Sequence, residues 1–213
     1  MPSPGTSGGC REIEGAASQA RRAGPLNEAV AEVPPLRYPR PMPRLSLQLG
    51  DITQVDAEAI ATSCGEDLVT GGPVHAAVHK AAGPALMEAC RALGPCPAGQ
   101  ARLTPGFTLR ARHVLHVAIP LWQGGDQDEM RILADGYRNA LALAAAKGLR
   151  SVAFPSMGAG IQPQYPLEAA SKVALRTIQA FLDRHDLPER AILVCFDPPT
   201  FQAYQKELRA MQP

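Results

Sequence analysis

Two glycine-rich stretches carry the residues best suited to chemistry. Gly71-Gly72-Pro73 precedes a segment with helical patterning, and Gly158-Ala159-Gly160 follows a short apolar run ending at Phe154. A glycine turn lets the backbone approach a ligand closely. Its N–H groups, with a helix N-terminus behind them, cradle an anion without any Lys or Arg. Two such loops suit a diphosphate held between them. Gly50-Asp51-Ile52-Thr53 adds a carboxylate able to accept a hydrogen bond from the exocyclic amine of adenine. Phe196, in Phe196-Asp197-Pro198, adds a flat face on which a base can stack. A base, a diphosphate and two sugars match this set. Each piece also has a plainer reading: turn glycines, a helix-cap aspartate, a core aromatic. Only their order and joint placement favour the functional one.

Other reactive side chains are weaker candidates. His113 and His116 lie three apart on an apolar stretch that reads as a strand. Residues three apart on a strand point to opposite faces, so this spacing indicates no metal centre. Cys64 has no neighbouring charge or base in sequence and reads as an inert thiol. The five cysteines are odd in number and form no C-x-x-C pair, which fits a reducing, cytoplasmic setting rather than a disulfide framework. Trp122 reads as a partly buried anchor in a loop.

The elements that must position these groups follow from periodicity. Leu45, Leu47 and Leu49 alternate with Ser46 and Gln48, a half-buried strand. Ala57–Ala61, Val114–Ile119, Val152–Phe154 and Ile192–Phe196 read as strands buried on both faces. Helices are predicted over 74–82, 85–93, 127–147, 166–184 and 200–210, with Gly83-Pro84 dividing the first two. Strands and helices alternate, so the class is α/β, a largely parallel sheet with helices on both faces. In such a sheet ligands bind beyond the carboxyl ends of the strands, where all four unusual segments fall.

Composition bounds the rest. The chain has 213 residues, 46% of them apolar, and a formal net charge of +1. That balance argues against a dedicated nucleic-acid binder, which carries a basic excess. No apolar run reaches the roughly 18 residues of a membrane span, and the first residues lack the apolar block of a secretory signal. Residues 1–44 differ from the rest: eight prolines interrupt them, and Tyr38 is their one aromatic residue. Such a segment buries too little apolar surface to offset its ordering entropy, so it is predicted to be mostly disordered, with a short helix around 12–22.

Several of these motifs, in order, resemble the macro domain family. They are Leu49–Thr53, Leu68–Val74 with Ala77–Gly83, Cys96–Ala101, Thr104–Phe107, Val114–His116 and Ser151–Ile161. The likeness runs from about Leu45 to Leu208. It implies a three-layer α/β/α sandwich with a mixed, largely parallel central sheet over 45–213, and residues 1–44 as an extension. It also implies a ligand, ADP-ribose, free or on a mono-ADP-ribosylated protein, with no cofactor and no membrane or nucleic-acid partner. Asp51 would accept from the adenine amine, the Ile52 N–H would read the ring, and Phe196 would stack on it. Gly71, Gly72 and Val74 would bind one phosphate. Gly158, Ala159, Gly160, Ile161 and Gln162 would bind the other, with Gly65 and Gly160 beside the distal ribose.

The departures bear on activity. Hydrolytic members of the family carry Asn-Ala-Ala-Asn where this chain has Thr62-Ser63-Cys64-Gly65, so the last Asn becomes Gly65. Many place an Asp where His75 stands; a histidine there is a base candidate near neutral pH. Pro73 replaces a loop glycine and removes one N–H donor, a loss of about 1.5–3 kcal/mol against a charged oxygen. Pro163 stands where glycine is usual. The binding frame is kept while the usual catalytic pair is replaced. The expected function is a reader or sensor of ADP-ribose. The alternatives are a hydrolase acting on ADP-ribosylated protein or O-acetyl-ADP-ribose, and a degenerate scaffold binding another nucleotide or none.

Overall fold

The computed structural model describes residues 43–159 and 165–211. The predicted disorder and short helix of the N-terminal segment therefore lie outside the described residues. So do Gly160, Ile161 and Gln162 of the second glycine loop, and Pro163.

The elements run β1 (Leu45–Leu49), a single 3-10 turn (Ile52–Gln54), β2 (Ala59–Cys64), α1 (Pro73–Ala82), α2 (Pro84–Leu93), β3 (Ala101–Pro105) and β4 (His113–Ala118). They continue with α3 (Glu129–Ala146), β5 (Ser151–Pro155), α4 (Leu167–Leu182), β6 (Arg190–Cys195) and α5 (Pro198–Ala210). Gly83 ends α1 with φ +82 and Pro84 opens α2, so the chain breaks where glycine alone tolerates the backbone and proline fits a first helical turn.

The six strands lie in the order β1-β6-β5-β2-β4-β3. Every neighbouring pair is parallel except β3 with β4. The central strands are buried along nearly their whole length because both of their faces are covered. On one face α3, α4 and α5 close a large apolar layer around Leu133, Tyr137, Leu141, Leu175, Ile178 and Tyr204. On the other, α1 and α2 close a smaller layer in which Val78, Leu86 and Cys90 meet Ile60, Val114 and Ala153. The result is the expected three-layer sandwich with a mixed, largely parallel sheet. The Arg44 guanidinium, donating to the carbonyls of Leu182, His185, Asp186, Pro188 and Glu189, fastens the start of β1 to the loop before β6.

Three boundaries differ from the sequence reading in ways that matter for the site. The second strand is Ala59–Cys64 rather than Ala57–Ala61. Its polar end, Thr62-Ser63-Cys64, pairs with β4 as far as Ala118, and Thr62 is fully buried. The last strand stops at Cys195, which leaves Phe196 beyond the sheet and 76% exposed. The stretch Cys96–Gln100 is a loop and only Ala101–Pro105 is strand, the antiparallel edge. Among the described residues no helix is long and apolar enough to cross a membrane.

Candidate functional site

A cleft of about 260 Å³ opens at the carboxyl ends of β1, β6, β5 and β2. Four chain segments supply its walls: Gly50-Asp51-Ile52 after β1, Gly72 to His75 at the start of α1, Pro155-Ser156 with Ala159 after β5, and Phe196-Asp197 after β6. Ser63, Ala77 and Val194 complete it. Among the described residues no Lys or Arg lines it, so the groups these residues offer an anion are backbone N–H groups and helix dipoles.

Each wall is built by local rules. Asp51 caps the 3-10 turn, its Oδ1 accepting from the Thr53 N–H at 2.9 Å. It is exposed, and its second oxygen is left for a ligand. Asp51 is therefore both the cap and a cleft residue, because one carboxylate has an oxygen for each. Asp197 lies nearby, yet both of its oxygens are taken: Oδ1 by the Thr200 N–H and Oδ2 by the Thr200 hydroxyl, each at 2.9 Å. Between the two aspartates, only Asp51 is free to read an amine. Phe196 projects its ring into solvent beside them, a large apolar face with nothing of its own to cover it.

The N-terminus of α1 points its first turn at the cleft. Gly72 is the N-cap and brings no capping side chain, so the first N–H groups of the helix remain for a ligand. Pro73 at the first helical position contributes none. The loop leading in is held by Asp67, whose Oδ1 accepts from the N–H groups of Val69 and Thr70, at 3.0 and 2.9 Å, and from the Thr70 hydroxyl at 2.8 Å. Those hydrogen bonds pull the Asp67 carboxyl below its ordinary pKa. After β5, Gly158 takes φ +83 and lies against Tyr165, where a Cβ would come within 2.7 Å of the ring. Its glycine serves the turn that presents Ala159 to the cleft. Trp122 is half-buried against the same Tyr165, with ring centroids 5.2 Å apart.

The cleft thus gathers Asp51, Ile52, Phe196, Gly72, Val74 and Ala159 of the sequence candidates, while Gly71 and Gly158 stand one position behind it. Gly65 is not in its lining. A Cβ at Gly65 would run into the Thr70 hydroxyl, so this loop has closed over the space an asparagine would need. Ser63, Pro155, Ser156 and Val194 also line it, although the sequence reading assigns none of them a ligand contact. Ser63 belongs to the polar end of β2 that the strand assignment cut short, and polar residues at the end of a buried strand are the signal that marks them.

His75, the catalytic candidate, is 4% exposed. Its Nε2 donates to the Val69 carbonyl at 3.1 Å, and its ring packs against Gly71 and lies 4.2 Å, centroid to centroid, from that of His79. Burial, and then the neighbouring His79, push its pKa down to about 4. The imidazole is neutral at pH 7 and a poor base. Deeper still, His116 on β4 contacts Cys90, and its Nε2 lies 3.0 Å from the Thr104 hydroxyl.

The Macro domain family model matches residues 61–174. A protein named O-acetyl-ADP-ribose deacetylase from Citrobacter koseri is 43% identical over 169 residues, covering 78% of this chain and 95% of that protein. One of the same name from Klebsiella pneumoniae is 44% identical over 164 residues, 75% of this chain and 93% of that one. Among solved structures, a mutant of the Oceanobacillus iheyensis macrodomain with ADPR aligns at TM-score 0.74 and 33% identity, covering 78% of this chain and 92% of that one. The Trypanosoma brucei macrodomain in complex with ADP-ribose aligns at TM-score 0.72 and 32% identity, over 78% of this chain and 69% of that one.

Proposed function

The chain belongs to the Macro domain family, and from that premise we propose that its cleft binds ADP-ribose, free or attached to a protein side chain, as a reader or sensor. The observation that carries the reading is the joint placement of three features at one end of the sheet. Asp51 with Phe196, the uncapped N-terminus of α1, and the turn after β5 all line the one cleft. Asp51 accepts from the adenine amine while Phe196 covers the ring. The diphosphate lies between the first turn of α1 and Ala159. The dipole of α1 and its free N–H groups offset the phosphate charge that no cationic side chain among the described residues is there to meet.

The groups present in the cleft support binding over efficient hydrolysis. Among the described lining residues the only carboxylates are Asp51, assigned to adenine, and Asp197, whose oxygens Thr200 occupies. His75 stands where a water-activating group is wanted, but its Nε2 is committed to Val69 and its basicity is suppressed. The second reading, deacetylation of O-acetyl-ADP-ribose, rests on the names of relatives that this chain matches over 93–95% of their length. In that reading an ordered water and the ligand's own phosphate supply the base.

Calorimetric titration of ADP-ribose into the full chain tests the proposal. Micromolar binding is expected. Asp51→Ala is expected to weaken it tenfold or more, and Phe196→Ala by about 1–3 kcal/mol, the worth of one stacked base. No binding at millimolar ligand sinks the proposal. A turnover assay on O-acetyl-ADP-ribose separates the readings. Release of acetate at many turnovers per chain replaces the reader with the enzyme, and its loss in His75→Ala then assigns the base.

A further inference from the structure

Beneath α1, next to His75 of the cleft wall, three side chains from three elements converge. They are His79 on the last turns of α1, Cys90 on α2 and His116 on β4. One ligand-type atom from each lies within 4.8 Å of the others. Cys90 and His116 are fully buried and His79 is half-buried. Val78, Ala82, Leu86 and Val114 share the layer, and the polar neighbours are His75 beside His79 and Thr104 beside His116.

Two features set this cluster apart from ordinary packing. Both ring nitrogens of His79 are buried and have no hydrogen-bond partner. A neutral imidazole left this way has lost its hydrogen bonds to water and gained none in return. The second feature is the arrangement around His116. Its Nε2 is 3.0 Å from Thr104 Oγ1, a contact that fixes the ring, and Cys90 Sγ lies 3.7 Å from both Nε2 and Nδ1. Metal-bound histidines keep one nitrogen on a fixed partner and the other on the ion, and here Thr104 holds Nε2 and leaves Nδ1 for that role. The Cys90 Sγ to His116 Nδ1 separation is 3.7 Å. Tetrahedral zinc with its usual bonds to sulfur and nitrogen sets two such ligands roughly 3.6 Å apart. The third ligand must close in by about 1 Å from the outer limit of the cluster, and His79 breaks no hydrogen bond in doing so.

We propose that His79, Cys90 and His116 form a binding site for a borderline-soft divalent cation of the zinc class. The Cys90 thiol gives its proton to solvent as its sulfur bonds to the ion, and the two imidazoles bind through lone pairs, so one proton leaves per ion bound. Three protein ligands leave a fourth position for water or an exogenous donor. The bound ion ties α1, α2 and β4 together, beneath the helix whose N-terminus faces the cleft. The spacing of His113 and His116 did not reveal this, because the partners of His116 come from elsewhere in the chain.

The test uses the full chain, reduced and stripped of metal, with Co²⁺ as the spectroscopic probe and Zn²⁺ measured by competition with a chromophoric chelator. One ion per chain is expected, with a thiolate-to-cobalt charge-transfer band, tetrahedral d–d bands, and release of one proton read from the buffer dependence of the binding enthalpy. Cys90→Ala should abolish the charge-transfer band. His79→Gln, at a half-buried position, should weaken Zn²⁺ at least 100-fold while circular dichroism reports an intact fold. His113→Ala, off the cluster, should bind as the native chain does. Absence of metal binding to the native chain overturns the proposal. So does binding that survives Cys90→Ala, or binding that His79→Gln and His113→Ala weaken equally. None of these readouts involves ADP-ribose, so the result stands apart from the reading of the cleft.

Discussion

Around the first glycine loop the restraints are polar. Asp67 gathers three donors onto one carboxylate oxygen, and His75 donates to the Val69 carbonyl from beneath. Around the second they are aromatic. The Tyr137 hydroxyl donates to the Pro155 carbonyl at 3.3 Å and accepts from the Met157 N–H at 3.2 Å, while Tyr165 fills the space under Gly158 and donates to the Pro120 carbonyl at 2.9 Å. Both loops face one cleft, but the first is fastened by an exposed carboxylate and a buried imidazole, the second in the main core by phenol rings. Burial pushes the Tyr137 hydroxyl far above its ordinary pKa. The turn at Pro155–Gly158 is therefore the rigid wall of the site and the first loop the adjustable one.

Breaking the aromatic side should cost most. Gly158→Ala demands φ +83 of a residue with a Cβ and drives that Cβ against the Tyr165 ring. Strain alone amounts to about 1–3 kcal/mol, and the ring has Trp122 behind it, so little relief is available. Thermal melting should show a clear fall in Tm, and ADP-ribose affinity should drop with it, because the turn that presents Ala159 is displaced. A variant with native Tm would mean that the Tyr165 contact restrains nothing.

Gly71→Ala probes the polar side and should cost less. Its Cβ would lie 2.5 Å from His75 Cγ, which overpacks the first turn of α1 by about 1–3 kcal/mol. The backbone there needs no positive φ, so the only obstacle is the imidazole. Combining Gly71→Ala with His75→Ala should recover part of the loss, and a double-mutant cycle on Tm measures it. Strict additivity would show that the two residues do not press on each other.

The difference between the loops also explains what could be read beforehand. Sandwich architecture and strand order of burial were legible because Leu133, Leu141, Leu175 and Ile178 repeat at helical spacing and the central strands are continuous apolar runs. The carboxyl ends of the strands were not, because residues that face a ligand stop looking like core. β2 was cut short at Thr62-Ser63-Cys64, and β6 was carried one residue too far into Phe196. At the site, Asp51 and Phe196 were visible as a carboxylate and an aromatic ring after strands. The inward turn of His75 was not, since its direction depends on a Val69 carbonyl set by Asp67 and on a glycine without a Cβ. The meeting of His79, Cys90 and His116 was likewise hidden, since residues on two helices and a strand share no spacing rule.

The smallest effect expected is the most direct reading of the adjustable loop. Asp67→Ala removes an acceptor for three donors, yet the loop is exposed and water replaces much of what is lost. Stability should fall by less than about 1 kcal/mol, in keeping with screened surface interactions. The pH dependence carries the sharper sign. Hydrogen bonds to the ionised form hold the folded Asp67 carboxyl below its ordinary pKa. Its contribution is thus complete above the unfolded carboxyl's pKa of about 3.9, erodes as the pH falls below that value, and is gone once the folded carboxyl is protonated. Between pH 7 and 5 the native chain and Asp67→Ala should differ by a constant amount in chemical denaturation, and the difference should shrink below pH 4. ADP-ribose affinity should change more than stability does, because the residue orders the loop that leads into the N-terminus of α1 rather than the core. Equal losses of stability and affinity would place Asp67 with the general scaffold and would make the first loop as rigid as the second.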